Sequence, residues 1–267
     1  MTMQYQGLVT WITGGGTGIG RAMAIEIAKQ GGIVILSGRR ADRLSEVKTT
    51  IISMGGQADI WVCDVTQQER LEQITEEIVK KYGRLDVCIA NAGFSVYGIF
   101  EKTTQEEWRR QMEINFFGVV WTTKAALPYL KKSRGRLAII SSVAGKLGAA
   151  RVSAYCASKF ALVGLCNSIY QEFKPLGVSV TNILPGFIES EIINVGNDGV
   201  YQKAVDKRPK KLIWGATKAA IPIVSAIHRR KREAVITGHG KIAVFLGQHL
   251  PGLTYWAMAR KASEDLY

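Results

Sequence analysis

The sequence predicts an α/β protein, a parallel sheet with helices packed against it, and two observations carry that prediction. Short apolar runs alternate with longer stretches of helical periodicity from about residue 8 to residue 237. The first run leads straight into a glycine turn and a helix, and later runs end in small or polar residues, where open parallel sheets collect ligands.

Residues 8–13 read as a buried strand that runs into Gly14-Gly15-Gly16-Thr17-Gly18-Ile19-Gly20, followed by a helix over 21–30 that ends at Gly31-Gly32. Such a turn lets backbone approach a pyrophosphate while unpaired amides and the helix dipole face it, which makes Gly14, Gly16, Thr17, Gly18, Ile19 and Gly20 candidate dinucleotide contacts. The spacing is GxxxGxG with Thr13 just before it. A second strand over 33–37 is followed by Gly38-Arg39-Arg40 and a polar helix over 42–54. After this strand of a dinucleotide fold an acid accepts a ribose hydroxyl, whereas an arginine accommodates a 2′-phosphate. Gly38 is no acid and Arg39 follows it, so NADP(H) is expected in preference to NAD(H), with Arg40 either a second phosphate contact or a solvated charge.

The third strand, 58–63, ends at Asp64-Val65. Asp64 either bonds the adenine amino group or caps the next helix, over 67–82, and its place in the motif series favours adenine. The fourth strand, 85–90, delivers Asn91-Ala92-Gly93, whose small residues allow close approach of a cofactor. A long helix is expected over 105–131, with Asn115 in its apolar middle. An amide there needs a partner: it either perturbs the helix and holds a water, or satisfies a neighbouring backbone group.

The fifth strand, 137–140, ends in Ser141-Ser142, and a helix from about 151 to 173 carries Tyr155-Cys156-Ala157-Ser158-Lys159. Helical spacing puts Tyr155 and Lys159 on one face, and the loop after Ser142 is long enough to bring its hydroxyl beside them. A free tyrosine titrates near pH ~10 and an adjacent cation favours its phenolate, so the expectation is a phenol made acidic by Lys159. A sixth strand, 178–184, ends at Pro185-Gly186-Phe187-Ile188-Glu189-Ser190, again where ligands bind.

Composition bounds the rest. The 267 residues are 47% hydrophobic, enough for one sizeable core, and the net charge of +13 calls for an acidic partner. Cys63, Cys88, Cys156 and Cys166 show no paired spacing and read as reduced structural thiols of a cytoplasmic protein. His228, His239 and His249 have no metal-ligand spacing, so no metal is expected. The first residues read as no signal peptide, and no apolar run reaches the ~18 residues of a membrane span.

Thr13-Gly14 with Gly18 and Gly20, Asp64, Asn91-Ala92-Gly93, Asn115, Ser142, Tyr155 with Lys159, and Pro185-Gly186 stand in the order found in the short-chain dehydrogenase/reductase family, which the chain resembles over about residues 7–237. The resemblance implies a Rossmann-like, doubly wound parallel sheet of about seven strands, order 3-2-1-4-5-6-7, with helices on both faces, in a homodimer or homotetramer. It implies an NADP(H)-dependent oxidoreductase that interconverts a ketone or aldehyde and an alcohol. Tyr155 would move the proton, Lys159 would lower its pKa and hold the nicotinamide ribose, Ser142 would orient the substrate oxygen, and Asn115 would hold a water. Val65, Asn91, Ala92, Gly93, Pro185, Gly186, Ile188 and Ser190 would line the cofactor beside the glycine turn, Arg39, Arg40 and Asp64. The chain departs from the family pattern at Ala90, where an asparagine is frequent, and at Ser190, where threonine is usual. The second reading is a cofactor-binding sensor or scaffold of the same fold.

Two segments set specificity and partners. Residues 189–214 are rich in cations (Lys203, Lys207, Arg208, Lys210, Lys211) close to Leu212-Ile213-Trp214, and read either as a lid over an acidic or acyl-linked substrate or, by preference, as a solvated loop. After a helix over 216–230, the run His228-Arg229-Arg230-Lys231-Arg232 has no aromatic platform beside it, so no nucleic-acid partner is expected. Residues 1–240 read as one catalytic domain and 241–267 as an apolar and basic extension packed on it. The stretch 242–258, broken by Gly247, His249 and Pro251, reads either as a peripheral membrane anchor or as an oligomer-interface or pocket cover.

Overall fold

The computed structural model describes residues 3–202 and 208–266, with side chains to Arg260. Seven strands, β1 (Val9–Thr13), β2 (Ile33–Gly38), β3 (Gln57–Val62), β4 (Val87–Ala90), β5 (Arg136–Ile140), β6 (Ser179–Leu184) and β7 (Glu233–Val235), form one sheet in the order β3-β2-β1-β4-β5-β6-β7. Every neighbouring pair is parallel. Parallel pairing forces a crossover between strands, and the helices supply it on both faces. Helices α1 (Gly18–Lys29) and α2 (Ala41–Ser53) pack on one face, and α3 (Gln68–Tyr82) on the other.

Side-chain alternation along the strands builds both cores. Val34 and Leu36 of β2, Ile89 of β4 and Ile140 of β5 face Met23, Ile27 and Val47. Their neighbours Ile35, Cys88 and Ile139 face Leu71, Ile74 and Ile78 on the opposite side. Winding reverses between β1 and β4, and the crevice opened there at the strand C-termini is where such sheets bind ligands.

The single long helix expected over 105–131 is in fact three pieces. α4 (Gln105–Met112), held by a capping box between Thr104 and Glu107, passes through a π-helical turn at Glu113–Phe117 into α5 (Gly118–Ser133). α6 (Ser153–Phe173) packs beside α5 on the same face, and α7 (Ala216–His228) joins α1. The stretch after β7 is also ordered differently from the broken run expected. α8 (Gly238–His249) contains Gly247 without a break, is capped by Thr237, and turns at Leu250 into α9 (Pro251–Leu266). The Thr237 hydroxyl makes that cap by accepting the Gly240 N–H at 3.2 Å. No helix among the described residues is long and apolar enough to cross a membrane.

Candidate active site

The glycine turn closes on the first residues after β4. Gly14 lies at φ 65° and Gly18 at φ 53°, a region that glycine enters without strain. A Cβ on Gly14 would stand 2.9 Å from the Ala92 Cα, and one on Gly20 would stand 2.2 Å from the Gly14 carbonyl oxygen. Thr13 locks this junction: its hydroxyl accepts from the Asn91 and Ala92 amides at 3.0 and 3.2 Å. The Asn91 amide donates to the Thr13 and Gly14 carbonyls at 2.9 and 3.1 Å. Asn91 was expected only as a small residue allowing close approach; its side chain instead fastens the glycine turn to β4.

A cavity of about 420 Å³ extends from this junction, lined by Gly14, Gly16, Arg39, Arg40, Asp64, Val65, Ala92, Gly93 and Tyr201 among others. Arg43, absent from the sequence reading, also lines it, with its guanidinium paired to Glu46. Arg40 donates to the Thr17 hydroxyl at 3.3 Å and to Glu191 at 3.0 Å, and stands over the Tyr201 ring at 5.4 Å. Arg39, more than half exposed, approaches Asp64 at 4.0 Å. One oxygen of Asp64 accepts from the Thr66 amide and hydroxyl at 3.0 and 2.9 Å, an Asx turn into α3. The capping position of α3 is Gln67, so Asp64 is not that cap, and its second oxygen is the one turned to Arg39. Ser190 comes beneath the turn, its Cβ 3.1 Å from where a Gly18 Cβ would lie. The Ile188 side chain is buried in the core, and its backbone forms a bridge with Trp214.

At the end of β5 the Ser142 hydroxyl hydrogen-bonds the Tyr155 phenol. It also accepts from the Ala144 amide at 3.1 Å and approaches the Pro185 carbonyl at 3.4 Å. Lys159 is buried one turn along α6, its ammonium donating to the Ile140 carbonyl at 2.9 Å and lying 5.6 Å from the Tyr155 ring centroid. The expected acidic phenol is not what the chain alone makes. Burial raises the Tyr155 pKa above its ordinary value, opposed by the Ser142 bond and by the charge of Arg208. Lys159 itself is lowered to about 8 by burial, since desolvation penalises the ammonium. Its ammonium is held on a backbone carbonyl, one turn of α6 from the phenol.

Both alternatives for Asn115 are partly realised. Its helix is perturbed into the π turn, and its side chain satisfies backbone: Oδ1 accepts the Phe94 N–H at 3.0 Å while Nδ2 donates to the Phe94 carbonyl at 3.0 Å. Nδ2 also donates to Ser158 Oγ at 3.2 Å, and that hydroxyl donates to the Tyr155 carbonyl at 2.7 Å. Gln111 continues the pattern, accepting the Val96 N–H at 2.7 Å and donating to the Phe94 carbonyl at 3.0 Å. Its spacing of four from Asn115 was the signal that would have found it.

His239 was read only as a non-ligand. Its Nε2 accepts the Phe187 N–H at 3.2 Å, lies 3.1 Å from the Thr237 hydroxyl, and its ring stacks on Phe187 at 5.5 Å. It therefore steadies the Pro185-Gly186-Phe187 turn, whose Pro185 carbonyl receives Val143 N at 2.9 Å. Replacing His239 with leucine is expected to raise the cofactor KM about three- to tenfold with kcat little changed, because the Phe187 amide loses its acceptor. Glutamine should restore most of it, and steady-state kinetics on the two variants checks both. Of the basic segment, Lys203 and Lys207 lie outside the described residues; Lys210 and Lys211 are exposed, and Arg208 donates to the Ile188 carbonyl at 3.0 Å. Among the described residues no three His, Cys, Asp or Glu converge as a metal site.

A glycine cradle at the switch point of a parallel sheet, with a serine-bonded tyrosine one turn from a buried lysine, defines a dinucleotide-dependent oxidoreductase. The family model described as short chain dehydrogenase matches residues 8–199, and the chain belongs to that family. It is 36% identical over 231 residues to 11-beta-hydroxysteroid dehydrogenase A of Sesamum indicum, covering 86% of this chain and 66% of that one. A short chain dehydrogenase/reductase from Burkholderia phymatum in complex with NAD shares the fold at a TM-score of 0.84 and 22% identity, over 94% of this chain and 96% of that one. An alcohol dehydrogenase from Thermococcus sibiricus complexed with 5-hydroxy-NADP does so at 0.75 and 23%, over 86% and 96%. Proteins of this fold thus bind NAD or NADP.

The residues present fit such a cofactor: backbone without Cβ atoms where it approaches the turn, and Arg39 and Arg40 on the cavity wall beyond β2.

Proposed function

We propose that the chain is an NADP(H)-dependent oxidoreductase that interconverts a ketone or aldehyde and an alcohol, with Tyr155 moving the proton. The observation that carries this is the Ser142–Tyr155 hydrogen bond beside buried Lys159. A bound nicotinamide supplies the hydride. Negative charge then grows on the substrate oxygen, where the Ser142 hydroxyl orients it and the Tyr155 phenol gives up its proton. A phenol raised by burial remains a proton donor at neutral pH. The substrate is apolar or acyl-linked, in keeping with the steroid named for the sesame relative and with exposed Phe187 and Leu212 on the segments after β6. Exposed Phe117, stacked on Trp121, and Phe160 support association into a homodimer or homotetramer.

Arg39 and Arg40 support NADP(H), since guanidiniums pair bidentately with a phosphate dianion. Joint replacement of Arg39 and Arg40 by alanine is expected to cut kcat/KM with NADPH about 10- to 100-fold while NADH is little affected. Equal losses with both cofactors would remove the NADP(H) assignment. NADPH consumption over a panel of apolar ketones tests the activity; tight NADPH binding with no turnover across the panel would favour the sensor reading instead.

A further inference from the structure

We propose that α8 and α9 form a docking surface for an anionic lipid bilayer, on which they lie without crossing it. Their apolar side chains are turned outward: Ile242 is 63%, Phe245 58%, Leu253 61% and Trp256 60% exposed. Residues 242, 245, 246 and 249 make one stripe of α8, and 253, 256 and 260 one stripe of α9, each at helical spacing. What the pair touches lies on its other side. Gly240 and Gly247 pack against Val143 and Leu147, and the Tyr255 hydroxyl accepts the Gly148 N–H at 3.2 Å.

Charge selects the occupant. From residue 234 to residue 263 the chain has no aspartate or glutamate, while Lys241, Arg260 and Lys261 stand at the two ends of the apolar stretch. The Arg260 guanidinium lies 5.9 Å from the Trp256 ring, an aromatic and a cation together at the end of one stripe. Apolar and aromatic groups that enter the headgroup region, with cations meeting anionic lipid around them, are the chemistry of an interfacial helix. No helix among the described residues is long and apolar enough to span, which leaves the surface orientation. The inference stands apart from the catalytic reading, and it adds to it. Val143, Leu147 and Gly148 belong to the segment between Ser142 and Tyr155, so an apolar substrate dissolved in lipid would leave the bilayer beside the reacting groups.

Flotation of the full chain with vesicles of phosphatidylcholine, with and without phosphatidylserine, tests it independently of turnover. The chain is expected to float with the phosphatidylserine vesicles. Binding should fall about tenfold or more for Phe245→Glu with Trp256→Glu, and for Lys241→Glu with Arg260→Glu, with unchanged thermal midpoints because all four side chains are exposed. The proposal is overturned if the native chain floats with neither vesicle, or if the Phe245→Glu, Trp256→Glu variant floats as well as the native chain. It is equally overturned if that variant only dissociates a dimer seen by light scattering.

Discussion

Tyr155→Phe is expected to lower kcat/KM for carbonyl reduction by about a thousandfold, within the range for removal of a positioned general acid. The phenol is half-buried and its hydroxyl contacts Ser142, so phenylalanine keeps the packing of α6 and deletes only the exchangeable proton. Nucleotide affinity should change by less than about threefold, since no cavity wall is altered. The loss should therefore fall on kcat. Single-turnover measurement with saturating NADPH separates the two quantities, and equal rates for the two proteins would sink the assignment of Tyr155 as the proton donor.

Gly20→Ala is expected to have the largest effect outside the reacting groups. The added Cβ meets the Gly14 carbonyl at 2.2 Å and the Asn91 side chain at 2.7 Å. Neither obstacle is the free end of a flexible side chain, because the Asn91 amide is engaged by two carbonyls of the same turn. The turn must move, at about 2–3 kcal/mol for overpacking rigid backbone. Titration of NADPH by fluorescence should show affinity down at least about 30-fold, and thermal unfolding a lower midpoint. Unchanged affinity would mean that the dinucleotide does not use this turn.

The strands were legible because their signals are local: apolar runs, a glycine turn between strand and helix, and small or polar residues at strand ends; their order came from the family resemblance. Tyr155, Lys159 and Ser142 were legible for the same reason, their spacings being short enough for helix and loop geometry to decide. What escaped depends on partners far along the chain. A perturbed helix at Asn115 was one of the two expectations, but its π form and its partner Phe94 lie beyond what residues 105–131 say. His239 acts through Phe187, 52 positions earlier, on an element that was read only as an extension. The upward push on the Tyr155 pKa escaped differently: it comes from burial, which the spacing of Tyr155 and Lys159 does not report.

The π turn has one more consequence. A turn closed by i→i+5 bonds takes up one residue more than an α turn, so the side chains of α5 are offset by about 100° from those of an uninterrupted helix continuing α4. The insertion works as a phase adjuster, letting Gln111 and Asn115 serve the loop at Phe94 while Ala126 and Leu130 still meet the sheet. Losing one residue there would let the turn close in α fashion with the downstream surface still in register, whereas the same loss within α4 or α5 would rotate everything beyond it by about 100°.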